Sequence, residues 1–134
     1  VTSSNTTSLD WLLDDLVERL SGVRHAVVLS TDGMLLSRSS ELSREQAEHF
    51  CALSSALHGL ARSAGSHFDV GVVRQTVIEL DRGILFVTSA GDNACLSLLT
   101  EGTANMGMVA YEMNQTVHRL GAFLSAAPRP GGHE

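Results

Sequence analysis

A chain of 134 residues, 43% apolar and 18% charged, is one ordinary domain that buries roughly two-thirds of its unfolded surface without disulfide staples. Its formal net charge of -6 and its nine scattered arginines, with no lysine at all, exclude an extended basic surface for nucleic acid and exclude Schiff-base chemistry. The apolar runs AVVL (26–29) and ILFV (84–87) fall far short of the roughly 18 to 20 residues that span a bilayer, and no basic segment with an apolar stretch behind it opens the chain. A cytoplasmic protein with no direct membrane insertion is expected.

In chain order, residues 1–7 and 126–134 are small, polar or Pro/Gly-rich and are expected to be mobile tails around one domain at 8–125. Leu9, Leu12, Leu13, Leu16, Val17 and Leu20 form a helical stripe, with Thr7 or Ser8 placed to cap it and Gly22 to end it. Asp10, Asp14, Asp15 and Glu18 read as its solvated acidic face. The runs HAVVLS and MLLSRS flank Thr31-Asp32-Gly33, a hairpin signal because glycine tolerates the positive φ of a tight turn.

Ser43 with Gln46 three residues on is a capping box, and a long helix follows until Gly65. It carries Phe50, Leu53, Leu57 and Leu60 on one face. Ala47, Cys51, Ser54, Ser55 and His58 make a neighbouring face of small or mildly polar side chains. That second face packs either on the sheet or on the same helix of another subunit; the pattern alone does not choose. Three strands are expected in succession, at 68–80, 83–90 and 94–100, and their short linkers force antiparallel neighbours. The 68–80 strand is long enough to leave an unpaired edge if it lies at the rim, and Gly71 within it marks a bulge or a close approach. Met106, Val109, Ala110, Met113, Val117, Leu120 and Leu124 then give a last helix. The order α-β-β-α-β-β-β-α predicts an α/β fold with a five-stranded antiparallel sheet and helices packed on it.

No catalytic or cofactor constellation emerges. Gly102 and Gly107 in EGTANMGMV have the spacing of a phosphate-binding loop, but Met108 and Val109 stand where a lysine and a hydroxyl belong. Their better reading is a strand-to-helix turn at Gly102, a cap at Thr103, and a close helix-to-sheet approach at Gly107. The six histidines and the two cysteines show no metal-ligand spacing. Cys51 and Cys95 read as reduced, buried thiols, and no nucleophile elbow or Cys/His/acid frame is present. The chain is therefore read as a non-enzyme without cofactor or metal.

The helix leading into LSGVRHAVVLSTDGMLL, together with GILFVTSAGDNACLSLLTEGTANMGMVAYEM, resembles the Roadblock / dynein light chain family, and in particular its small bacterial members, over residues 8–124. The resemblance implies a profilin-like sandwich that homodimerises through its second helices and third strands. Carried onto this chain, the dimer surface would be Ala47, Cys51, Ser54, Ser55, His58 and Arg62 on the helix and Val70, Val72, Arg74, Thr76 and Ile78 on the strand. Similar actinobacterial proteins are encoded beside a sensor histidine kinase-like protein and a Ras-like GTPase. The resemblance thus implies a regulator or scaffold that binds a small Ras-like GTPase and stimulates its hydrolysis, with membrane recruitment left to partners. The alternative is a small-molecule sensor domain of a signalling complex, which requires a cavity between sheet and helices.

Overall fold

The computed structural model describes residues 3–126, with side chains described over 9–122. Its elements are α1 (Ser3–Arg19), β1 (Val23–Ser30), β2 (Leu35–Arg38), α2 (Arg44–His67), β3 (Gln75–Leu80), β4 (Gly83–Ser89), β5 (Ala94–Glu101) and α3 (Met106–Ala126). The strands form one antiparallel sheet in the order β2-β1-β5-β4-β3, so the expected α/β architecture is what the chain adopts.

Both faces of the central strands are covered, which is why β1 and β5 read as nearly unbroken apolar runs rather than alternating ones. On one face α1 and α3 pack over Ala26, Val28, Ile84, Phe86, Leu96 and Leu98. On the other, Ala47 and Cys51 of α2 pack with Val27, Leu29, Val87 and Cys95. The hairpin between β1 and β2 closes through Gly33 at φ +93, with the Ser30 N–H donating to the Met34 carbonyl at 2.9 Å.

Several local expectations change. Helix α1 begins at Ser3, inside the stretch expected to be a tail and ahead of Thr7 and Ser8; residues 1–2 and 127–134 of the two expected tails lie outside the described residues. Of the α1 carboxylates only Glu18 is exposed; the other three are half-buried and engaged. Asp10 accepts from the Ser37 hydroxyl and from the Arg38 N–H at 3.3 Å, Asp14 accepts from the Ser40 N–H at 2.7 Å, and Asp15 pairs with Arg19 at 2.8 Å. Asp10 and Asp14 take up polar groups along β2 and just beyond it that an edge strand would otherwise present to solvent.

Helix α2 is capped by Ser43, whose side chain accepts from the Gln46 N–H at 3.2 Å as the capping box requires. It does not stop at Gly65 but runs to His67. Gly65 is buried, and a Cβ there would collide with the Gly71 carbonyl, so this glycine serves close approach and not termination. Strand β3 is correspondingly shorter than 68–80. Gln75 pairs with Thr88, next to the end of β4 at Ser89, and the residues upstream of Gln75 have almost no strand left to pair with. Asp69 at φ 56 and Gly71 at φ +101 turn the chain there instead.

The junction EGTANMGMV does turn strand into helix, but Asn105 provides the cap: its side-chain carbonyl accepts from the Met108 N–H at 2.9 Å. Thr103 does not fill that role. Gly107 is exposed, and a Cβ there would meet only Asn105 Oδ1 at 3.5 Å, so it makes no close approach to the sheet.

Candidate functional site

The two rims of the sheet are unlike. Strand β2 is short, irregular in register against β1 and tied to α1 by Asp10. Strand β3 pairs with β4 alone among the described residues, leaving a row of backbone donors and acceptors open to another strand.

The face of α2 turned to its own sheet is the small one. Ala47, Cys51, Ser54 and His58 are buried within the protomer. Ser54 and Ser97 share a hydroxyl–hydroxyl bond of 2.8 Å, and Ser55 donates to the Thr31 carbonyl at 3.1 Å. Small side chains are needed there because the helix backbone lies close over the strands. Burial pushes the Cys51 and Cys95 thiols up to about 11, which makes them poor nucleophiles. Burial, and secondarily the Arg62 guanidinium, holds His58 below the usual imidazole range, and its Nδ1 has no hydrogen-bond partner.

The helix half of the expected dimer surface falls on this inner face of α2. Ala47, Cys51, Ser54 and His58 are committed to the protomer's own core, Ser55 is half-buried under the β1–β2 turn, and of that set only Arg62 is exposed. On the strand side, Val70, Val72 and Arg74 are exposed but precede β3, while Thr76 and Ile78 lie in β3 and are half-buried.

What α2 offers outward is the face of large residues. Phe50, Leu53, Leu57 and Leu60 recur at helical spacing along one flank; Leu53 is 50% and Leu60 is 69% exposed. This flank stands over a strip of sheet that α2 leaves uncovered. The strip is a cross-strand row of His25, Leu99, Leu85 and Ile78, directly paired from β1 through β5 and β4 to β3, and all four are half-buried. At its β1 end the strip and the flank enclose a groove of about 560 Å³ lined by His25, Leu42, His49, Phe50, Leu53 and Leu99. An apolar helix flank, an apolar floor and an open strand edge, side by side, form a surface suited to burial against protein. Sequence spacing shows both helix faces; which one meets the sheet depends on how closely the backbones approach, and that is a tertiary property.

A second cleft of about 470 Å³ lies at the β5–α3 junction, lined among others by Arg19, Thr103, Asn105, Met108 and Glu112. Arg19 there is held by Asp15 at 2.8 Å and Glu112 at 2.6 Å, and its guanidinium pKa is raised by those hydrogen bonds. A cation already neutralised by two carboxylates does not recruit phosphate. Among the described residues no group of three His, Cys, Asp or Glu side chains could hold a metal ion.

Comparison with known proteins agrees with this architecture. A family model described as Roadblock/LC7 domain matches residues 9–100. The Roadblock/LC7 domain from Streptomyces avermitilis is 42% identical, with a TM-score of 0.84 over 87% of this chain and 98% of that one. A gliding protein, MglB, from Thermus thermophilus shares the fold at 17% identity, with a TM-score of 0.81 over 92% of this chain and 93% of its own. An uncharacterized protein of Methanocaldococcus jannaschii is 26% identical over 106 residues, which is 79% of this chain and 91% of that protein.

Proposed function

Because the chain belongs to the Roadblock/LC7 domain family, we propose that it is a non-catalytic, homodimeric regulator that binds a small Ras-like GTPase in a bacterial signalling system. The observation that carries the dimer is the open β3 edge lying beside the exposed Leu53–Leu60 flank of α2. Pairing of two β3 edges extends the sheet across a twofold axis. The same operation brings the two α2 flanks together over the uncovered strips, as an isologous interface requires. On this reading the helix contribution comes from Phe50, Leu53, Leu57 and Leu60, in place of the buried Ala47, Cys51, Ser54 and His58.

The GTPase rests on the resemblance to small bacterial family members encoded beside one. On that resemblance the chain acts by repositioning the GTPase's own residues, which supplies electrostatic stabilisation without an arginine from outside. A sensor histidine kinase-like neighbour would bring the complex to the membrane; no helix among the described residues is long and apolar enough to cross one.

The test is light scattering of the purified protein at micromolar concentration, then titration with the neighbouring GTPase loaded with GDP or GTP while hydrolysis is followed. A dimer that retains the GTPase in one nucleotide state is the expected result. A monomer that retains neither form contradicts the proposal.

A further inference from the structure

We propose that the apolar strap between α2 and β3, residues 68–72, inserts into the groove beside α2 of the second copy, so that each protomer completes the other's core. The inference rests on the dimer reading above and goes beyond it in assigning an occupant to the groove.

The strap is an unusual segment to leave in water: Phe68 is 69%, Val70 77% and Val72 86% exposed. Its backbone nevertheless has a defined shape. The N–H groups of Phe68, Asp69 and Val70 donate to the carbonyls of Ala64, Ser66 and Gly65 at 3.1, 3.3 and 2.9 Å, and the Ser89 hydroxyl holds the Val73 carbonyl at 3.2 Å. Apolar side chains on a fixed scaffold bind with a small ordering cost.

The groove and the strap of one protomer lie at opposite ends of the sheet. The groove sits where β1 begins and β5 ends, at His25 and Leu99. The strap joins the sheet where β3 begins against the end of β4, at Gln75 and Thr88. A protomer therefore does not fill its own groove. A twofold axis normal to the sheet, between two antiparallel β3 edges, exchanges the two ends and places each strap at the end that holds the other copy's groove. The same twofold runs the two α2 helices antiparallel, so the strap, which follows the C-terminal end of one α2, lies toward the Glu45–Leu53 end of the other, where the groove is. The groove wall of Phe50 and Leu53 also continues directly into Leu57 and Leu60, so strap and flank bury one continuous surface.

Two measurements on the full chain test this. Val72→Asp, a substitution at a side chain that scarcely touches its own protomer, is expected to weaken dimerisation at least tenfold by sedimentation equilibrium while leaving the far-UV spectrum unchanged. A Val70→Cys chain mixed with a size-tagged Leu53→Cys chain is expected to give a covalent heterodimer under mild oxidation. Cys51 and Cys95, buried and pushed up to about 11, stay silent in that experiment. In protein that light scattering shows to be dimeric, either a missing heterodimer band or an unchanged Kd for Val72→Asp overturns the strap assignment and leaves the dimer standing. A wild-type chain that is monomeric at every concentration overturns both, and light scattering alone reads that outcome.

Discussion

Ser54 and Ser97 show how a polar pair decides which way a helix faces. Each hydroxyl is buried and each satisfies the other at 2.8 Å. Removing one leaves its partner unpaired in an apolar layer, at a cost of about 1–3 kcal/mol. Ser54→Ala is expected to lower stability by that amount in urea denaturation; an unchanged midpoint would mean the bond contributes nothing. Ser54→Arg forces a charge beneath the helix, and insoluble or unfolded protein is expected in place of a clean monomer. Four residues on, His58 is buried and its pKa is held below 6.5, first by desolvation and then by Arg62. The folded state prefers the neutral ring. Its contribution to stability is therefore complete above the unfolded value of 6.5 and is lost as pH falls through the depressed folded value. Wild type is expected to lose more stability than His58→Gln on going from about pH 7 to about pH 5, the range in which an imidazole titrates; parallel profiles would exclude His58 as the cause. The sequence revealed Ala47, Cys51, Ser54 and His58 as one small face. It left the opposing surface open, since small residues suit close packing on a sheet and on a second helix equally well.

At the scale of elements, the succession of strands and the hairpin pairs β1–β2, β3–β4 and β4–β5 were legible because short linkers and Asp-Gly leave few alternatives, whereas the central β1–β5 pairing, which no short linker joins, was not. Element ends were not. Gly65 has the look of a helix stop, yet α2 continues past it to His67 because the glycine is needed where the strap's Gly71 carbonyl crosses the helix. Gly65→Ala is expected to destabilise by about 1–3 kcal/mol, as overpacking does. Gly59→Ala, in the same helix with nothing within 4 Å of its added methyl, is expected to gain up to about 1 kcal/mol from helix propensity. Thermal denaturation of the pair separates steric from backbone effects, and equal shifts would remove the collision as the reason for Gly65. The 68–80 run reads as one strand from its valines, but strand length is set by the neighbour: β4 ends at Ser89, and the chain beyond its reach turns through Asp69 and Gly71. The α1 carboxylates likewise read as solvated until the fold brings β2 beneath them, where Asp10 and Asp14 engage backbone N–H groups.

For the whole molecule, the decisive asymmetry is between its two sheet edges. The β2 rim is engaged by α1, whereas β3 is open beside an apolar flank and strip that no element among the described residues covers. A protomer with that surface exposed is stabilised by whatever covers it, and a self-partner makes stability depend on protein concentration by mass action. The wild-type melting temperature is therefore expected to rise with concentration through the micromolar range. Leu60→Arg places a charge on a flank that meets its own symmetry mate, and Leu60 is already 69% exposed, so the protomer itself has no reason to unfold. This variant is expected to run as a monomer by light scattering and to melt at one temperature whatever its concentration. A Leu60→Arg chain that stays dimeric and keeps a concentration-dependent melt would move the interface off α2 altogether. One that becomes monomeric yet binds the GTPase as before would separate dimerisation from partner recognition and place the docking surface within a single protomer.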